Sequence, residues 1–143
     1  MEGRIVLNSL GDATGQAGSC DFELTFCESE QLPFVTVTLS AWKVGRDMLV
    51  TVVGGEMHLG CAVVAVPRPS LADVGASSAT SSVLNVVGHK DDAVCRSVAE
   101  RVSAAFGCTV VCTGGIHVDD IRSDQIAEVV AAVNALCDML VQA

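Results

Sequence analysis

Polar and apolar residues alternate along two early stretches of the chain. Asp21-Phe-Glu-Leu-Thr-Phe26 and Phe34-Val-Thr-Val-Thr-Leu-Ser-Ala-Trp42 both read as strands with one wet face, and Pro33 marks entry to the second. Met48-Leu-Val-Thr-Val-Val53 and Cys61-Ala-Val-Val-Ala-Val66 are more continuously apolar, which predicts inner strands. The short link between them, Gly54 to Gly60, has hairpin length. Pro67 and Pro69 are expected to end this part of the sheet, and Ser70 to Ser82, rich in Ser, Ala and Gly, reads as a mobile loop. The period then changes. From Lys90 onward Val94, Val98, Val102 and Ala105 recur at helical spacing until Gly107. From Ile126 onward Val129, Val130, Val133, Leu136, Cys137 and Leu140 draw a second apolar stripe. Asp120, Ser123 and Asp124 offer caps at its start. Thr109 to Cys112, between the helices, is a further strand. The expected fold is α+β, a mainly antiparallel sheet with two C-terminal helices packed on one face.

The length, 143 residues, predicts a single domain over 1–143 with a Gly-rich N-terminal segment at about 8–19, after a short strand at Ile5 to Leu7. Half the residues are hydrophobic and mean hydropathy is +0.51, so a core is affordable without disulfides. The most apolar stretch, Ile126 to Val141, is broken by Glu128, Asn134 and Asp138, which argues against a membrane span. The N-terminus does not read as a secretory signal. Eight cations against 17 carboxylates give a formal charge of −9, which argues against nucleic acid as a partner. Seven cysteines, mostly within apolar segments, read as reduced core residues of a cytoplasmic protein. Cys108 and Cys112 on one strand face stand about 13 Å apart, too far to share an ion. No metal-binding set is assigned.

The chemistry concentrates in three histidine segments. His58 lies in Gly55-Glu-Met-His-Leu-Gly60, His89 in Gly88-His-Lys-Asp-Asp92, and His117 in Gly115-Ile-His-Val-Asp-Asp120. Each falls at the end of a regular element, where amides are free and glycine lets a ligand approach. Three unrelated loop histidines would look the same at this stage. Lys90, read in the first turn of a helix, opposes the macrodipole by roughly 0.3–1 kcal/mol unless an anion binds there. Arg101 would extend that basic strip; alternatively, Asp91 and Asp92 neutralise Lys90 locally. Nucleophile elbows, His-Glu-x-x-His helices and Cys-x-x-Cys pairs are all missing, and 3% aromatic content disfavours an aromatic cage.

Taken together, Gly54-Gly-Glu-Met-His-Leu-Gly60, His89-Lys-Asp91 and Thr113-Gly-Gly-Ile-His-Val-Asp-Asp-Ile121, followed by Gln125-Ile126, resemble the small D subunit of gallate and hydroxyarylic-acid decarboxylase systems. The resemblance covers about residues 44–143 and is most specific at Gly-Ile-His-Val; the longer front part and the Ala/Ser-rich loop depart from it. It implies a prenylated-flavin chaperone, similar in fold to proteasome assembly chaperones and working as a homodimer. Such a protein is not an enzyme; it binds prenylated FMN, or FMN, and delivers it to the catalytic subunit of a UbiD-type decarboxylase. Gly55, His58, His89, Lys90, Gly115 and His117 would line the cofactor-phosphate site. Two other readings remain at this point: a protein-assembly chaperone or interaction module without a flavin ligand, and a small enzyme whose metal or phosphate site is built from the three histidines.

Overall fold

A computed structural model describes residues 22–143; the Gly-rich segment, the strand expected at Ile5 to Leu7, and Cys20 lie outside the described residues. Six strands form one sheet: β1 (Phe22–Gln31), β2 (Thr36–Val44), β3 (Asp47–Gly55), β4 (Cys61–Pro69), β5 (Ser77–Asn85) and β6 (Val110–His117). Helix α1 (Asp92–Phe106) precedes β6, and α2 (Ser123–Gln142) follows it. The spatial order is β1-β2-β3-β6-β4-β5, antiparallel throughout except for the parallel pair β3–β6. The α+β class and the helix-covered face are as the patterning predicts.

Alternation decides which face is covered. Val37, Leu39, Ala41, Val50, Val52, Val63, Ala65, Val110 and Cys112 all point inward and are fully buried or nearly so. Against them α1 sets Cys95, Val98 and Val102, and α2 sets Val129, Val133, Leu136 and Leu140. Helix α1 lies over β4 and β5, and α2 over β1 and β2, so the seam between the helices runs above the central strands β3 and β6. Arg101 of α1 bonds Asn134 and Asp138 of α2 across that seam. It joins the helices; it does not extend a basic strip toward Lys90.

Three expectations are corrected. The segment 70–82 is not one loop. Turn structure occupies only its first part, and Ser77–Asn85 is the edge strand β5, paired antiparallel with β4 from Ser77–Pro69 to Asn85–Cys61. Backbone pairing needs no apolar side chain, and the small Ala79 and Ser81 let α1 pack close, with Ser81 donating to Glu100 at 2.5 Å. Strand β4 continues through both prolines, because its pairing with β6 ends at Ala65–Val110 and no ladder N–H is required beyond that point on that side. Finally, β3 and β4 do not form a hairpin. Strand β6 inserts between them, and the link from Glu56 to Gly60 must pass over the end of β6.

Candidate functional site

That bridging link creates the site. It carries His58 across the C-terminal end of β6, where the imidazole lies on the bare α-carbon of Gly115. A Cβ on Gly115 would stand 2.3 Å from His58 Nε2, so the ring occupies space that only glycine leaves. The link is pinned at both ends, by Glu56 N–H donating to the His117 carbonyl (3.0 Å) and Gly60 N–H to the Gly114 carbonyl (2.9 Å). Gly55 has φ +62°, and a Cβ there would meet the His117 carbonyl at 1.9 Å. It permits the chain to leave β3 beside the end of β6.

His89 arrives from the β5–α1 connection. Its ring centroid is 4.5 Å from that of His58, and the His117 ring, at the end of β6, is 6.3 Å from His58. The group that joins His58 and His89 is Asp91. Its Oδ2 accepts from His58 Nε2 at 3.1 Å and lies 3.8 Å from His89 Nδ1, while its Oδ1 accepts from the Ile116 N–H at 3.1 Å. Asp91 is the N-cap residue of α1, yet its carboxylate makes no cap bond. The first-turn amides of α1 are thereby left without a side-chain acceptor. Lys90 stands one residue before the N-cap, outside the helix proper, and among the described residues it makes no ion pair.

His58 donates from Nδ1 to the Glu56 carbonyl at 3.1 Å as well as from Nε2 to Asp91. Both partners are acceptors, so the two contacts together favour the protonated ring. Its pKa is raised above 6.5, first by the Glu56 carbonyl and, against the opposing effect of burial, by the Asp91 carboxylate. His117 Nε2 bonds the exposed Asp119 at 3.1 Å.

These groups form one end of a cleft of about 410 Å³ in the seam between the helices. Val94 of α1, Ile121, and Ile126, Val129 and Val130 of α2 make its apolar wall, and Val52, Cys95 and Ile116 its floor. The floor thiol is inert: its Cys112 contact and burial push the Cys95 pKa far up, and burial pushes Cys61 up to about 12. The cysteines in the described residues are all unpaired, and Cys61, Cys95, Cys112 and Cys137 are buried as expected, whereas Cys27 is exposed. At the start of α2, Arg122 is the N-cap and its N–H donates to the Gln125 side chain at 3.0 Å; Ser123 and Asp124 fall inside the helix.

Of the six residues singled out from sequence, five therefore meet in this cleft: His58, His89, Lys90, Gly115 and His117. Gly55 does not line it; it supports the β3–β6 junction from behind. Sequence reasoning missed Asp91 as the organising carboxylate, seeing only a local partner for Lys90. It also missed the apolar wall, whose residues read as helix core.

Among the described residues no helix is long and apolar enough to cross a membrane. No curated protein matches the chain. Among solved structures, one described as a novel chaperone complex for yeast 20S proteasome assembly matches with a TM-score of 0.51 at 15% identity, over 84% of this chain and 95% of the other. The likeness is one of fold. A model of the prenylated flavin chaperone LpdD-like domain matches residues 32–143, starting earlier than the resemblance read from the histidine segments. The chain belongs to the prenylated flavin chaperone LpdD-like family.

Proposed function

We propose that this protein binds prenylated FMN in the inter-helix cleft and delivers it to a UbiD-type decarboxylase apoenzyme. The observation that carries the reading is the division of the cleft into two chemistries. One end gathers His89, Lys90 and His117 beside the uncapped first turn of α1, a set suited to a phosphate, while His58, its ring nitrogens engaged by Glu56 and Asp91, offsets the Asp91 carboxylate. The rest is walled by Val94, Ile121, Ile126, Val129 and Val130, a surface suited to a prenylated ring system. The volume falls within the range of small-molecule sites. When bound, prenylated FMN supplies no chemistry here; it is cargo, and this chain's residues hold and release it. Histidines bind an anion without burying permanent charge, which favours release as well as capture.

In this reading the protein acts as a non-enzymatic homodimer. The sheet face that the helices leave bare supports pairing, since it presents Leu24, Val64, Val66 and Leu84 in exposed positions. Loading the protein with reduced prenylated FMN and mixing it with a flavin-free UbiD-type decarboxylase tests the function. Decarboxylase activity should appear faster than with an equal amount of free cofactor. An identical rate with and without the protein would remove the delivery role.

A further inference from the structure

The polar end of the cleft holds more than an anion site needs. A carboxylate at its centre repels phosphate, and the chain already carries a formal charge of −9. Asp91 Oδ2, His58 Nε2 and His89 Nδ1 nevertheless converge, all within 4.8 Å of one another. Two of their separations are 3.1 and 3.8 Å. Ligands about 2.0–2.1 Å from a tetrahedral ion stand about 3.3 Å apart, so the three atoms need only small shifts to share one. The supporting contacts are those that ligands require. His58 donates its other ring N–H to the Glu56 carbonyl, and Asp91 fixes its second oxygen on the Ile116 N–H. Glycine also clears the space: a Cβ on Gly60 would lie 2.1 Å from Asp91 Oδ2 and 3.2 Å from His58 Nε2.

We infer that His58, His89 and Asp91 bind one divalent ion of the zinc class, which takes the place of the proton on His58 Nε2 and keeps a coordination position open to the cleft. Two imidazoles and one carboxylate select such an ion over Mg²⁺ or Ca²⁺. His117 is not a ligand; it bonds Asp119. The open position takes a phosphate oxygen of the cofactor, and this second part rests on the flavin reading above. The ion then offsets both the Asp91 carboxylate and the incoming anion.

Tag-free protein stripped with a chelator is titrated with Co²⁺ and Zn²⁺, with Mg²⁺ for comparison. One equivalent of Co²⁺ should bind with visible ligand-field bands, Zn²⁺ should raise Tm, and Mg²⁺ should do neither. Asp91→Asn and His89→Ala should each weaken Co²⁺ binding by about 100-fold or more, while His117→Ala leaves it unchanged. Cooperative melting in chelator confirms that each variant is folded. His89, partly exposed, serves if the Asp91 variant fails to fold. Folded wild-type protein that gives no Co²⁺ bands and no Zn²⁺-dependent rise in Tm overturns the site. Titrations with reduced prenylated FMN, with and without Zn²⁺, separate the two parts. Co²⁺ binding without binding of reduced prenylated FMN leaves the ion site standing and removes the flavin reading. Binding of reduced prenylated FMN of equal strength with and without bound Zn²⁺ overturns the phosphate position alone.

Discussion

Two clefts of the same volume, about 410 Å³ each, open at opposite ends of the parallel strand pair β3–β6. At one end the strands finish and the helices begin, with His58, His89, Lys90, Asp91 and His117 in the lining. At the other the strands begin and the helices finish, with Lys43, Arg46, Asp47, Phe106, Cys108, Leu140 and Ala143 in the lining. Volume does not distinguish them; polarity and convergence do. Helix N-termini carry partial positive charge and C-termini partial negative charge, so the backbone field favours an anion at the histidine end and disfavours one at the other. Lys43 and Arg46 complement the helix C-termini, and Asp47 accepts from the Thr109 N–H at 3.1 Å, an ordinary strand-entry bond. Two cations near a cavity make no anion site when the backbone field opposes them.

The largest expected effect falls on both clefts together. Val98 is fully buried where α1 meets the sheet. Val98→Asp should cost about 4 kcal/mol or more, read by chemical denaturation, because it buries an unpaired charge. Val133→Asp in α2 should behave alike. A stable, ligand-competent Val98→Asp protein would mean that the helices do not wall these clefts as described.

Next come changes that separate the two ends. Gly115→Ala places a methyl group against the His58 ring, with a stability cost of about 1–3 kcal/mol. Flavin affinity should fall at least as far, since the ring loses its seat; unchanged affinity would show that His58 is not part of the binding end. Lys90→Ala and His117→Ala should each weaken flavin binding by about tenfold, the scale of one charge-assisted hydrogen bond. Thermal stability should stay within about 1 kcal/mol, since both residues are exposed. Lys43→Ala and Arg46→Ala at the other end should leave the flavin dissociation constant unchanged. Isothermal titration of the four variants decides between the ends.

Much of this arrangement was legible in the residues. Apolar alternation in β2 and the near-continuous apolar runs of β3 and β4 mark buried strands, and the Val94–Ala105 and Val129–Leu140 stripes mark the helices. Strand β5 was hidden because Ser77 to Ser82 presents small polar side chains, although its backbone pairs fully with β4. The Gly54–Gly60 hairpin was misread for a different reason. The strand that separates β3 from β4 comes some 50 residues later, and no local pattern announces it. Asp91 was undervalued because its neighbours in sequence, Lys90 and Asp92, are not its partners in space. The three histidines were recognisable because each lies within two residues of a glycine at the end of an element. What the residues alone left open was whether those ends coincide.

The smallest effect concerns the buried and half-buried thiols. Burial raises the Cys61 pKa from 9.0 to about 12, and Cys95, Cys108 and Cys137 shift the same way. The folded state therefore holds these protons more tightly than the unfolded state. Their contribution to stability is complete below pH 9 and declines as pH rises from about 9 toward 12. Denaturation at pH 8 and pH 10 measures the decline, and a rise in stability over that interval would contradict the thiols' neutral burial. Iodoacetamide should modify Cys27 in the folded protein and reach Cys61, Cys95, Cys112 and Cys137 only after unfolding.

The most direct measurement is a titration of the purified protein with reduced prenylated FMN, repeated on a Lys90→Ala/His117→Ala double variant and on a Lys43→Ala/Arg46→Ala double variant. Saturable binding that collapses only in the first double variant is the predicted result. Binding lost only in the second, or no binding to the folded wild-type chain, would contradict the assignment of the histidine end as the cofactor site.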